Sequence, residues 1–462
     1  MKKDEKADQI EPVPPAHMTY PEAIRFLYDL RLFGAKFGLE NTFKLAALAG
    51  NPQNQLRFIH VAGTNGKGST CAMLESIYRA TGLHVGLFTS PHLVSFRERI
   101  QVNRRLIPEH EVVRLVEKLQ PLLKQFSSDH HPTFFEVVTV MALKYFAGQK
   151  CDPVIWETGL GGRLDATNIV TPLAGVITNI AFDHQQWLGD TLEKIAAEKA
   201  GIIKPGVPVI TAADEPEALA VIEKTAREKH APLIKLGQAS SPSLLFAPPD
   251  RNWEIETGKM PVLPLPGDHQ RINAMLALAT IETLQNKIAA SDSAIRTGLE
   301  TVNWPGRLQL VTRPSGQKFL LDGAHNVAGA KVLRQALEKY FGGTRRILVL
   351  GVLQDKDWRQ ICETLAPLAA RIFTVLVSSE RTADARELAA ACRAVNSTAE
   401  IVACDSLREA LGKIASDDFV VITGSLYLVG EALESFGLSP ATSDERALNE
   451  WGACPQPLPA TR

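Results

Sequence analysis

The sequence predicts an α/β protein of two units, each a mostly parallel sheet with helices on both faces. Three observations carry that prediction. Short apolar runs alternate with helix-period patterns over most of the chain, an arrangement that buries parallel strands between helices. The run 56–62 ends in the turn Gly63-Thr64-Asn65-Gly66-Lys67-Gly68, and Ser69 and Thr70 then open a helical pattern. At Asn303-Trp304-Pro305-Gly306-Arg307 the alternation breaks and then starts again. The first unit is therefore read as a P-loop-containing ATPase domain and the second as a smaller Rossmann-like α/β domain.

In chain order, residues 1–18 are charged and proline-bearing and are expected to be a disordered tail. Apolar residues recur at helical spacing from 20 to 48. Strands are expected at 56–62, 84–88, 153–157, 174–180 and 207–211, with helices at 69–81, 108–126, 134–147, 191–200 and 215–229. Prolines break 237–267 into short extended pieces, read as a small β elaboration or a long loop. A helix follows at 271–285. The second unit should place strands at 318–322, 346–351, 371–377, 399–403 and 419–423, and helices at 326–340, 357–369 and 384–395. The stretch 440–462 is polar and proline-rich and is read as a second tail. The expected domains are thus 19–305 and 306–439.

Composition narrows the function classes. A chain of 462 residues exceeds one ordinary core, whose upper range is about 250–300 residues. With 45% apolar and 22% charged residues it is globular. A net charge of −1 argues against a dedicated nucleic-acid surface. Cys71, Cys151, Cys362, Cys392, Cys404 and Cys454 form no C-x-x-C pair, so free thiols in a reducing compartment are expected. The N-terminus has no apolar signal core and no apolar run is long enough for a bilayer. The expectation is a cytoplasmic monomer without a membrane or nucleic-acid partner.

The chemistry is concentrated where strands end. A strand, a glycine turn and a helix start hold polyphosphates, because glycine lets main-chain N–H groups approach closely and the helix start adds orphan donors. Lys67 adds a charge. Gly68 stands between Gly66-Lys67 and the hydroxyls, so this is a variant P-loop. Strand 84–88 runs into Thr89-Ser90-Pro91-His92-Leu93, strand 153–157 into Glu157 through Asn168, and strand 174–180 into Asp183-His184. Ligands in open α/β sheets bind beyond such carboxyl ends. A magnesium nucleotide needs hard oxygen ligands, which Ser90 and Glu157 supply. In the second unit, Asp322-Gly323-Ala324-His325-Asn326 ends a strand and could reach a nucleotide across a cleft. Plainer readings stand beside these: Ser90 as a turn residue, His184 as a packed histidine, Asn326 as a helix cap and Asp322 as a turn residue.

Together these pieces resemble the folylpolyglutamate synthase family, and its bifunctional dihydrofolate synthase/folylpolyglutamate synthase members, within the Mur ligase superfamily. The further matching motifs are Glu98-Arg99-Ile100, Thr133-Phe134-Phe135-Glu136, Leu188-Gly189, Glu198 to Lys204 and Trp304 to Arg307, in family order. The resemblance implies a Mur-ligase-like fold and a ligase. ATP would phosphorylate a pterin carboxylate (dihydropteroate or a tetrahydrofolate), and L-glutamate would displace phosphate from the acyl phosphate.

The resemblance also assigns roles. Thr64, Asn65, Gly66, Lys67, Gly68 and Ser69 would cradle ATP, with Asn273 at its base and Arg307 and Asp322 reaching it from the linker and second unit. Ser90 and Glu157 would hold one Mg2+ and His184 a second, supported by Lys199 as a carbamate. Without the resemblance, Lys199 is a helix-face lysine. Thr133, Phe134, Phe135 and Glu136, with Leu164, would line the pterin pocket, though adjacent phenylalanines are also ordinary core. Lys67, Asp322 and His325 would serve catalysis. A Mur-type peptidoglycan ligase is the alternative, and it would need a uridine-nucleotide domain for which only some 50 residues precede the loop. A catalytically silent nucleotide-binding regulator is a third reading, opposed by the presence of Lys67, Glu157 and His184 together.

Overall fold

The structure, a computed structural model, describes residues 18–34, 38–236, 262–342, 346–415 and 419–439, together with Glu445. Among these residues the strands form two sheets. The first contains β1 (Phe58–Ala62), β2 (Gly86–Phe88), β3 (Ile100–Val102), β4 (Arg105–Leu106), β5 (Val154–Glu157), β6 (Ala174–Ile177), β7 (Val209–Thr211) and β8 (Leu233–Lys235). Their spatial order is β4-β3-β2-β5-β1-β6-β7-β8. Only the β2-β3-β4 edge is antiparallel. The second contains β9 (Gln309–Thr312), β10 (Lys318–Leu321), β11 (Arg346–Leu350), β12 (Arg371–Val375), β13 (Glu400–Cys404) and β14 (Phe419–Thr423), ordered β13-β12-β11-β14-β10-β9. There only β9 runs antiparallel.

Position within the sheets explains the strand sequences. β1, β5 and β6 are buried along their whole length, which matches their continuous apolar runs. Phe58, Phe88 and Phe146 pack around Trp156, with Phe88 stacked 4.4 Å from its ring centre. Helix Phe134–Gly148 covers this cluster, and Thr133 and Glu136 form its capping box. On the other face, helices Lys67–Ala80 and Asp268–Thr283 pack together with Ile59, Val61 and Ile155.

β1 lies at a switch point. The chain leaves it toward β2 on one side, while the connection from β5 to β6 crosses to the other. The register pairs Val61 with Glu157 and Ala62 with Ile177, so the carboxyl ends of three strands sit side by side. Crevices at such points hold ligands.

Several elements depart from the sequence expectation. The helix expected from 69 begins at Lys67, inside the glycine turn. The helix expected over 357–369 stops at Leu365 and tightens into a 3-10 turn at Ala366–Leu368, where Pro367 cannot continue the hydrogen-bond ladder. β3 and β4 form a hairpin that turns on Asn103 and Arg104, both at positive φ, without the Asn-Gly signal such turns usually show. Helix Leu426–Ser435 (LYLVGEALES) is apolar nearly all round and carries no helical stripe to read. The helix Asp292–Glu300, capped by Ser291, was also unforeseen. The proline-broken stretch at 237–261 and the 1–17 tail lie outside the described residues. Within 440–462 only Glu445 is described, and it is buried.

Candidate active site

The strand ends converge on one cavity of about 450 Å³ between the two sheets. The glycine loop forms its floor, from Thr64 and Asn65 through Gly66, Lys67 and Gly68 to Ser69. Gly66 sits at φ +84 as the N-cap of helix Lys67–Ala80, a conformation suited to glycine. A Cβ there would lie 2.4 Å from Asn273 Oδ1. The loop is tied to the segment after β6: the Thr64 N–H donates to the Asn179 carbonyl at 2.9 Å, the Asn65 N–H to Asn179 Oδ1 at 2.8 Å, and Thr178 Oγ1 to the Asn65 carbonyl at 2.6 Å. Lys67 Nζ folds over the loop onto the Gly63 and Thr64 carbonyls at 3.1 and 3.2 Å. The helix start, its orphan N–H groups and this ammonium together make an anion cradle.

Ser90 and Glu157 meet at one side of the loop. The Ser90 N–H donates to Glu157 Oε2 at 3.1 Å, and Ser90 Oγ is buried without a hydrogen-bond partner. Burial pushes the Glu157 carboxyl up to about 7, against the pull of Lys67, the Ser90 N–H, Arg307 and Arg99. An orphaned hydroxyl beside a carboxylate short of positive charge suits a hard divalent cation. Among the described residues no three His, Cys, Asp or Glu side chains gather tightly enough to form a protein-only metal cage. A cation here would need substrate oxygens or water as further ligands.

His184 and Lys199 lie on the adjoining wall. Burial, reinforced by Lys67, lowers the Lys199 amine to about 7, and its Nζ donates to the Gly63 carbonyl at 2.8 Å. The neutral amine that carbamylation requires is thus accessible near neutrality. Burial also lowers His184, to about 3, leaving a neutral ring able to act as a ligand.

Asp183 links the lobes. Burial alone would raise its carboxyl, but neighbouring His184, His325 and Lys356 outweigh that and hold it well below the usual carboxylate range. Lys356 Nζ stands 2.6 Å from Asp183 Oδ1 and 3.3 Å from His184 Nε2. Asn326 Nδ2 donates to Asp183 Oδ2 and to Asn65 Oδ1, both at 3.0 Å. Asn326 Oδ1 also accepts the Gly329 N–H at 2.8 Å, so the helix-cap reading and the site reading both hold. His325 Nδ1 donates to the Gly323 carbonyl at 2.8 Å, which leaves Nε2 facing Asp183 at 3.6 Å.

At the start of the second lobe, Asp322 accepts the Leu308 and Ala324 N–H groups at 2.9 and 3.0 Å, which makes it a turn residue as well as a wall residue. Arg307 donates to the Gly306 carbonyl at 3.0 Å and faces Asp322 and Glu157. Asn273 Nδ2 is held by Gln270 Oε1 at 3.0 Å. The apolar wall is Phe134, Phe135 and Leu164. Thr133 and Glu136 border it too, but their polar atoms are engaged in capping: Glu136 Oε2 accepts the Thr133 N–H at 2.8 Å, and Oε1 accepts the Thr42 hydroxyl at 3.1 Å.

All the residues singled out from the sequence therefore border one space. Missing from that set were Lys356, Arg31 and Arg381, which also line it. Lys356 follows β11 in Gly351-Val352-Leu353-Gln354-Asp355-Lys356, so the strand-end rule applied once more would have found it. For Arg31 and Arg381 no local signal existed.

Comparison with known proteins gives a consistent result. Residues 61–281 match the Mur ligase middle domain, and residues 306–426 the Mur ligase, glutamate ligase domain. A Bacillus subtilis dihydrofolate synthase/folylpolyglutamate synthase is 38% identical over 428 residues, covering 89% of this chain and 98% of that one. A Mycobacterium tuberculosis folylpolyglutamate synthase structure with ADP and AMPPCP has TM-score 0.79 and 30% identity, covering 91% of this chain and 100% of that one. Escherichia coli FolC in complex with DHPP and ADP has TM-score 0.77 and 31% identity, covering 92% and 99%.

Proposed function

We propose how this site works on the premise that the chain belongs to the folylpolyglutamate synthase family of Mur ligases, ATP-dependent enzymes that join L-glutamate to folates. The reaction is the ligation of glutamate to the carboxylate of dihydropteroate, giving dihydrofolate, and of tetrahydrofolate, giving polyglutamates. The peptidoglycan alternative is not favoured, since the relatives act on folates.

ATP lies along the glycine loop, its phosphates on the helix N-terminus and Lys67, its base toward Asn273. Arg307 and Asp322 hold it from the second lobe. Ser90 and Glu157 would hold one Mg2+, and His184 with carbamylated Lys199 a second; when bound, these ions neutralise phosphoryl oxygens. The pterin packs on Phe134, Phe135 and Leu164, with its carboxylate directed at the γ-phosphorus. A carboxylate oxygen attacks that phosphorus and ADP leaves, so a poor electrophile becomes an acyl phosphate.

Glutamate enters from the second lobe, where Lys356 and Arg381 line the cavity and add positive charge for its carboxylates. Its amino nitrogen attacks the acyl carbon, the C–O bond to phosphate breaks, and the nitrogen sheds a proton. His325, fixed by the Gly323 carbonyl, orients the incoming amine. Division into lobes 19–305 and 306–439, action as a monomer and a cytoplasmic setting belong to the same reading. The buried, unpaired thiols of Cys71, Cys151, Cys362, Cys392 and Cys404 support a reducing compartment.

The observation that carries this reading is the single cavity that the loop, the Ser90–Glu157 pair and the Arg307–Asp322 pair share. The test is phosphate release by purified protein given ATP, Mg2+, dihydropteroate and L-glutamate. Release that needs both pterin and glutamate is expected; release indifferent to either overturns the reading. Tetrahydrofolate in a parallel assay tests the second activity.

A further inference from the structure

Glu445 is a buried carboxylate that the chemistry above leaves unused. It is 7% exposed, although it lies six residues beyond Ser439, where the second lobe's continuous description ends. Its Oε2 accepts from the Phe96 N–H at 2.7 Å, from Ser95 Oγ at 2.9 Å and from the Tyr20 hydroxyl at 3.1 Å. Its main-chain carbonyl accepts from His92 Nε2 at 2.9 Å. All four partners belong to the first lobe. Six residues reach at most ~20 Å when fully extended, so this docking holds Ser439 within that distance of Glu445 and its first-lobe partners. Burying a carboxylate is costly unless donors replace its water, and three donors on one oxygen do so.

The same contact leads into the cavity. Because His92 donates through Nε2, its Nδ1 is left to accept, and Arg99 Nε donates to it at 2.9 Å. Arg99 is buried, lines the cavity, and has its guanidinium 5.4 Å from the Phe134 ring centre. The connecting loop is braced from within by Glu98, whose carboxylate accepts the Leu93, Val94 and Ser95 N–H groups at 2.7 to 3.0 Å. Glu445 holds it from outside.

We propose that Glu445 is a positioning residue: its docking on residues 92–96 orients His92 and, through it, Arg99 against Phe134 at the substrate wall. The Glu445 contact thereby sets affinity for the pterin rather than the rate of phosphoryl transfer. This inference rests on the assignment of Phe134 to the pterin pocket.

The experiment compares wild type, full-length Glu445→Gln and a chain ending at Ser439. KM for dihydropteroate should rise about tenfold in both variants, while KM for ATP and kcat stay within about twofold. A synthetic peptide of residues 440–462 should restore the pterin KM of the shortened chain, and the same peptide carrying Glu445→Gln should not. Unchanged pterin KM in both variants, equal rescue by both peptides, or parallel losses for ATP and pterin that track the melting temperature would each overturn the proposal. Should the shortened chain not fold, Glu445→Gln decides together with Tyr20→Phe, which removes one donor and should shift the pterin KM in the same direction by less. A wild type that makes no amide refutes the ligase reading; an active wild type with indifferent variants refutes only the role of Glu445.

Discussion

Lys356 and Asp183 form an ion pair at 2.6 Å across the two lobes, with both side chains less than a tenth exposed. It is the shortest of the contacts that Asp183 makes with the second lobe, the others coming from Asn326 and His325. Breaking a buried pair by removing one partner leaves an uncompensated charge, at a cost of about 3–5 kcal/mol. Lys356→Met should lower the melting temperature and cut kcat/KM for glutamate by at least about a hundredfold. A double-mutant cycle with Asp183→Asn checks the pairing: strictly additive losses would mean that the two residues act independently.

Glu157 should make the reaction pH-dependent. Its carboxyl is raised to about 7 by burial, so it must lose its proton near neutrality before it can hold a cation. Mg2+ affinity and kcat/KM should climb as the pH passes about 7, and Glu157→Gln should flatten that rise. The stability effect has the opposite sign. A carboxyl raised in the folded state contributes stability that is complete below the ordinary 4.5 and is lost as the pH rises through about 7. Thermal unfolding of wild type and Glu157→Gln in metal-free buffer from pH 4 to 8 measures it; parallel curves would reject the assignment.

Lys199 should make activity depend on dissolved carbon dioxide. Its amine, lowered to about 7, is substantially neutral at physiological pH. Removing bicarbonate should depress turnover reversibly, and Lys199→Ala should abolish turnover while short carboxylates such as formate or acetate partly restore it. Indifference to bicarbonate together with an active Lys199→Ala would end the carbamate assignment. A lowered lysine also contributes stability that is present above its ordinary 10.5 and is lost as the pH falls through about 7.

Gly66→Ala should fail through its backbone. Its φ of +84 is disfavoured for any residue with a Cβ, and the Asn273 side chain would also have to shift to admit that atom. Strain of about 1–3 kcal/mol is expected at such a position, and the loop's nucleotide face would shift with it. Titration with ADP should show at least about a tenfold loss of affinity; wild-type affinity would mean that the loop is less constrained than its geometry implies.

The fold was legible wherever one element carried a clean local pattern. The buried strands β1, β5 and β6 read as apolar runs because both of their faces are covered. Helix Leu426–Ser435 did not, because a helix buried nearly all round loses its stripe. Thr133 and Glu136 show the converse. Their T-x-x-E spacing announces a capping box, and the structure gives them that role beside the apolar wall of the cavity. In the site, glycines, hydroxyls and carboxylates at strand ends were visible, and Lys356 sits beyond the end of β11, where the same rule reaches it.

The sequence by itself determined the two α/β units, the glycine loop at a helix start and the chemical types available at each strand end, since these depend on residues close in the chain. Tertiary structure alone decided that Asp183 meets Lys356, that Lys199 is buried enough to shed its proton, and that Glu445 returns to the first lobe. Those outcomes depend on residues separated by 136 to 425 positions, and on solvent exclusion that only packing creates. No short stretch of sequence carries the local dielectric or the distance between partners that far apart.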